Sequence, residues 1–173
     1  LHEIESKVSK KNFIIRNDQP KIKKKGKDVT IVSYSYMMIE CLKASKILND
    51  NKISAEVIDL ISLRPLKLKK IINSLKKTNN LLFVENGQVE FGIGSEISRL
   101  ISKENKIKKN FNFEIIGLEN SIIPSTRALA KHCYISHTDI INKVFEILKI
   151  KKRYKKKKSE FSDVPDKNFK GPF

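Results

Sequence analysis

Tryptophan is absent, cysteine occurs twice, and only five of the 36 basic residues are arginine in a chain of 173 residues. Two thiols, Cys41 and Cys133, are too few for a disulfide scaffold or a four-thiolate zinc site. They leave the redox compartment open. No apolar run approaches the roughly 18 residues of a membrane-spanning helix, so no membrane partner is expected. The opening Leu1-His2-Glu3-Ile4-Glu5 lacks the basic start and apolar stretch of a secretory signal. It does not begin with Met, so a fragment or a processed form is the expectation. What is present is a 39% hydrophobic content, enough for the core of one domain with tails and against wholesale disorder.

The formal charge is +17, and it is unevenly placed. Residues 1–27 carry nine basic and three acidic side chains, and residues 149–173 carry ten and three. The stretch between them, 28–148, holds 17 basic against 13 acidic residues. Most of the surplus therefore lies in two tails. Lys, Ile and Asn make up 70 of the 173 residues, and all three have A/T-rich codons. Coding bias on solvated tails accounts for the charge more simply than an acidic partner does.

These shifts divide the chain into a basic linker or tail over 1–27, a domain over 28–148 and a basic low-complexity tail over 149–173. A short edge strand is expected at 12–15. No internal repeat is found. Within the domain, strand and helix patterns alternate. The β-branched run Asp28–Tyr34 reads as a strand, as do Ile53–Leu60, Asn80–Glu85 and Phe111–Leu118. Asn80–Glu85 is nearly all apolar and is expected to be central. Helical spacing appears at Met38, Cys41, Leu42, Ser45 and Leu48; at Leu68, Ile71, Ile72 and Leu75; and at Ile97, Leu100 and Ile101. A last amphipathic helix is expected over Thr138–Ile150, with Asp139 in its first turn and Lys149 in its last. A final strand or an irregular segment should precede it, near 131–136. The alternation predicts a three-layer α/β fold: a mostly parallel sheet with helices on both faces. The functional loops of such a sheet lie at the carboxyl ends of its strands. Here these are 34–37, 61–65, 86–94 and 119–127.

Several patterns in those loops invite a chemical reading. Gly87, Gly92 and Gly94 lead into a helix but lack the Lys-Ser/Thr of a phosphate loop and the dinucleotide fingerprint. A tight turn needing positive φ or close backbone approach is the simpler reading. His132, Cys133 and His137 are the densest cluster of soft ligands, but no fourth ligand and no helical i, i+4 pair accompany them. Ser33 and Ser35 follow a strand without a nucleophile elbow. Glu85 and Glu90 flank the loop after the central strand. They fit turn-capping or a subunit interface better than acid–base work. The run Lys149–Lys158 has no aromatic interleaving beyond Tyr154 and no nucleic-acid module beside it, so nucleic acid is not an expected partner.

The ordered stretches carry a resemblance. Gly26-Lys27-Asp28-Val29-Thr30-Ile31-Val32-Ser33-Tyr34-Ser35 is followed by Glu56–Leu60 and by Ser62-Leu63-Arg64-Pro65-Leu66. Ile72–Asn79, Leu82-x-Val84-Glu85 and Gln88-x-x-Phe91-Gly92-x-Gly94-x-Glu96-Ile97 come next, and Gly117 and Pro124 close the series. Over roughly residues 20–148 the chain resembles the C-terminal transketolase-type domain of beta subunits of 2-oxo-acid dehydrogenase decarboxylases. The Gln-x-x-Phe-Gly stretch favours the pyruvate branch over the branched-chain one. Deoxyxylulose-phosphate synthase shares the domain, but its usual Asp-x-Phe-x-x-His-Gly stretch is not found here.

The resemblance implies a part of a larger oxidoreductase that uses thiamine diphosphate and Mg²⁺ in an upstream domain. It therefore assigns no catalytic, cofactor-binding or metal-binding residue to this chain, which alone should be inactive. Its implied partners are an alpha subunit, a second beta subunit and the lipoyl acyltransferase. Glu85, Phe91, Gly92 and Gly94 are the expected interface residues. The family typically has Leu-Asp-Ala-Pro before the fourth strand, and that Asp helps hold a basic peripheral domain. Here the equivalent falls near Lys108-Lys109-Asn110-Phe111, so Lys109 marks an altered docking position. The implied location is an organelle, either an apicoplast-like plastid or the mitochondrial matrix, or the cytoplasm if the source is bacterial.

Overall fold

A computed structural model of the chain describes residues 19–104, 110–120, 122–130 and 133–155. Its five strands are β1 (Lys21–Lys24), β2 (Val29–Ser33), β3 (Ala55–Asp59), β4 (Asn80–Gln88) and β5 (Asn112–Leu118). They form one sheet in the order β1-β3-β2-β4-β5. The pairs β2–β3, β2–β4 and β4–β5 are parallel, and only β1–β3 is antiparallel. The helices are α1 (Met37–Asp50), α2 (Lys69–Thr78), α3 (Ile93–Ser102), α4 (Arg127–Ala130) and α5 (His137–Ile147).

The strand period of two sorts the core into two layers. Val29 and Ile31 of β2, with Leu82 and Val84 of β4, pack against α1 and α5. Val32, Leu81 and Phe83 point the other way, against Ile71 and Leu75 of α2 and Ile97 and Ile101 of α3. All are buried. Each such side chain stabilises the fold by about 1.5–3 kcal/mol relative to an exposed one. Burial on both faces explains why β2 and β4 read as continuous apolar runs rather than as alternation.

The structure departs from the sequence reading at several points. Residues 21–24 are not linker: they form β1, an edge strand paired with Asp59, Ile58 and Val57 of β3. Lysines suit that position, since charged side chains at an edge block further strand addition. Lys23 lies 3.6 Å from Asp59, and the Lys24 ammonium donates to the Ser45 carbonyl at 2.7 Å. The folded unit also runs past Leu148. Tyr154 packs against the α1–α5 layer, and its backbone exchanges hydrogen bonds with the Asn142 side chain at 2.7 and 3.1 Å. α5 ends at Ile147, so Lys149 lies beyond the last turn, with φ 55°. β4 runs on to Gln88 through a register shift after Val84, so Gly87 belongs to the strand. Leu42 faces outward on α1. Residues 133–136 are irregular, the second of the two expectations for that stretch. The strand expected at 12–15 lies outside the described residues.

Candidate functional site

The carboxyl end of the sheet gathers the chain's unusual features. β4 delivers Glu85 there, buried, at the N-terminus of α3. Its Oε2 accepts the Ile93 backbone N–H at 3.1 Å, so Glu85 caps the helix from outside it. Its Oε1 is buried without a hydrogen-bond partner among the described residues. Burial pushes the Glu85 carboxyl above the ordinary carboxylate range, and the Ile93 and Gly94 N–H groups offset only part of that. Burial and the Glu85 charge also raise the phenol of Tyr34, whose ring lies 6.3 Å from that of Phe83.

The glycines make room for this carboxylate. A Cβ on Gly92 would stand 2.5 Å from both Glu85 oxygens and 2.6 Å from the Gln88 carbonyl. A Cβ on Gly117 would stand 2.7 Å from the Gly87 carbonyl and 2.9 Å from Glu85 Cγ. On Gly94 it would meet Phe83 at 2.8 Å. Close approach is therefore what these positions require. Positive φ falls instead on Phe91, at 60°, immediately before the helix. Its ring is fully exposed, at 101%, and fills no core of its own domain. Asn120 donates to Glu90 Oε2 at 2.8 Å, tying this loop to the one after β5. The other loops at this end present Ile61, Leu63, Ile122 and Ile123 to solvent, and α4 presents Leu129.

The remaining candidates have structural employment. Ser33 donates to the Val84 carbonyl at 2.7 Å between two strands, and Ser35 occupies a left-handed turn with φ 54°. His137 is the first residue of α5. Its backbone N–H and Nδ1 lie 2.9 and 2.8 Å from Glu40 Oε2. Lys43 reaches the other oxygen of Glu40 at 2.9 Å. Burial alone would raise the Glu40 carboxyl, but hydrogen bonds from His137 and Lys43 outweigh it and bring it to about 2. Glu40 was not singled out from sequence. The signal was available: Met37, Cys41, Ala44 and Leu48 form an inward stripe, and Glu40 lies inside it. His132 lies outside the described residues, and no group of three or more metal-ligand side chains occurs among those described. Lys109 also lies outside the described residues.

Residues 18–140 match the transketolase C-terminal domain family. The chain is 46% identical over 91 residues to the mitochondrial pyruvate dehydrogenase E1 component subunit beta of Dictyostelium discoideum, covering 53% of this chain and 26% of that protein. It is 41% identical over 148 residues to the mitochondrial subunit of Pisum sativum, covering 77% and 41%, and 36% identical over 131 residues to the pyruvate dehydrogenase E1 component subunit beta of the bacterium Rickettsia bellii, covering 76% and 40%. Among solved structures it resembles a split-gene transketolase described as an inactive beta4 tetramer. The TM-score is 0.67 at 26% identity, over 81% of this chain and 45% of that one. The chain thus spans less than half the length of each of these relatives. The strand order, the helix layers and the family match agree, and the chain belongs to the transketolase C-terminal domain family.

Proposed function

We propose that this chain is the C-terminal domain of the beta subunit of the pyruvate dehydrogenase decarboxylase component, and that it serves subunit assembly and docking of the lipoyl acyltransferase. The assignment to the pyruvate branch rests on the identity to E1 beta subunits from mitochondria and from a bacterium. The interface role rests on Phe91. A wholly exposed aromatic ring on a left-handed backbone, seated on a helix start that Glu85 holds, has no use inside the domain. Aromatic anchors of this kind dominate interface energetics. Gly92 and Gly94 keep the turn tight beneath it. The partners proposed for this face are the alpha subunit and a second beta subunit.

Thiamine diphosphate and Mg²⁺ belong to the complete enzyme in this reading. Among the described residues no group of three or more metal-ligand side chains occurs, and the Glu85 carboxylate lies against the Gly92 and Gly117 backbone, an arrangement that does not fit that group. No step of the reaction is therefore assigned to these residues. Acyltransferase docking is proposed with an altered charge pattern at Lys109. We place the protein in an organelle, the mitochondrial matrix or a plastid, or in the cytoplasm of a bacterial source. A tagged full-length protein found in the nucleus or the secretory pathway would refute that placement.

The deciding experiment is co-expression of the full-length protein with its alpha subunit. Phe91→Ala should abolish co-purification while changing the protein's unfolding free energy by about 0.5 kcal/mol or less, as for an exposed side chain. Unchanged assembly in the variant would remove the interface role.

A further inference from the structure

Helices α2 and α3 cover the same sheet face without closing on each other. Between them runs a groove of about 670 Å³. Its floor is apolar: Leu68, Ile72 and Leu100, all half-buried. Its rim carries the ammonium groups of Lys69, Lys76 and Lys103, and among the described residues Glu104 is the one carboxylate lining it.

The lysines of α2 are not equivalent. Lys70 donates to the Pro20 carbonyl at 2.8 Å, and Lys77 pairs with the buried Glu56 at 2.6 Å. Both are committed to the fold. Lys69 and Lys76 stand seven residues apart, two turns along one helical face, with Ile72 between them. Neither makes an ion pair among the described residues, and both are exposed. Lys103 lies within electrostatic reach of Glu96. The groove is therefore an apolar trough with two uncommitted positive charges along one wall.

We infer that the α2–α3 groove docks an acidic, leucine-bearing peptide segment of a partner protein. Carboxylates of the segment would meet Lys69 and Lys76, and its apolar side chains would cover Ile72 and Leu100. Charge complementarity favours such an occupant, and the volume is that of a binding cleft for a few side chains. Nucleic acid fits less well, because no aromatic side chain among the described residues lines the groove to stack a base and Glu104 opposes a phosphate. An anionic membrane fits less well too, because the apolar residues lie in a recess rather than on a protruding face. This inference does not depend on the carboxyl-end interface.

The test uses the full chain and a fluorescein-labelled amphipathic peptide with leucines at i, i+4 and i+7 and glutamates beside them. The peptide should bind, more weakly as salt rises. Its addition should shift the methyl resonances of Ile72 and Leu100, a readout that needs no variant. Lys69→Glu/Lys76→Glu should weaken binding about tenfold or more, with the thermal melt retained. Lys151→Glu/Lys155→Glu, on the exposed C-terminal extension, should leave it unchanged. Four outcomes would each overturn the proposal. The first is no binding. The second is equal binding of the same peptide with lysines in place of glutamates. The third is methyl shifts elsewhere than the groove. The fourth is a mixed-sequence oligonucleotide or phosphatidylserine vesicles that bind more tightly and lose affinity in the same variant.

Discussion

Two buried carboxylates each receive the N-terminus of a helix, and they behave in opposite ways. Glu40 takes the start of α5, and with it the His137 ring and the Lys43 ammonium. Glu85 takes the start of α3 with backbone N–H groups alone, and one of its oxygens has no partner among the described residues. The first carboxyl is lowered to about 2, and the second is raised. Burial opposes the charge of both. The number of donors decides which effect wins. The layers that they serve differ in the same sense. α1 and α5 are drawn together across Glu40, whereas α2 and α3 leave a groove between them.

The strongest way to break the comparison is Glu40→Ala. It removes the acceptor that the His137 N–H, the His137 Nδ1 and the Lys43 ammonium share in a buried site, and should destabilise the protein by roughly 3 kcal/mol in urea unfolding. A loss below about 1 kcal/mol would mean that α1 and α5 are held by apolar packing alone. Gly92→Ala comes next. The new methyl must displace the Glu85 carboxylate or the Gln88 carbonyl, at about 1–3 kcal/mol. Adding Glu85→Ala should recover part of that loss, a coupling that a double-mutant cycle measures. Additive losses would show that the carboxylate is not what the methyl meets.

Smaller effects should appear in the pH dependence, with opposite signs. The contribution of Glu40, lowered in the folded state, is fully present above its ordinary value of 4.5 and is lost as pH falls through about 2. That of Glu85, raised in the folded state, is present below the ordinary carboxylate range and is lost as pH rises through the raised value. Unfolding curves of Glu85→Gln should therefore lose the decline in stability above the ordinary range while keeping the acid limb. A variant that keeps the decline would show that another group causes it. Smallest of all is Lys76→Ala, on the open side. It should change stability by less than about 0.5 kcal/mol, since it removes no pairing among the described residues. A larger loss would show that the groove is braced by its lysines.

Much of this architecture is legible in local patterns. The strands β2, β3, β4 and β5 follow from β-branched and apolar runs, and the helices from three-to-four spacing. β1 has no local signature, because Lys21-Ile22-Lys23-Lys24 carries no apolar alternation. Its place at an edge removes the need for one. Helical spacing points Leu42 inward, but α1 buries the neighbouring arc that holds Glu40, Cys41 and Ala44. The glycines after β4 signalled a constrained turn, yet their spacing does not distinguish close approach from positive φ. The left-handed residue proved to be Phe91.

By itself the sequence determined the alternation of strands and helices, the parallel sheet that the alternation compels and the family to which the chain belongs. The first two depend on periods of two and of three to four residues, which are readable within one element, and the family on short motifs that follow one another in order. Only the tertiary structure decided the pairings that give single residues their chemistry. His137 meets Glu40 across 97 positions, and Gly92 owes its identity to a carboxylate seven residues earlier on another element. No local period encodes such contacts. They depend on where the packed layers bring two backbones together, and on how many donors happen to surround a charge once water has been excluded.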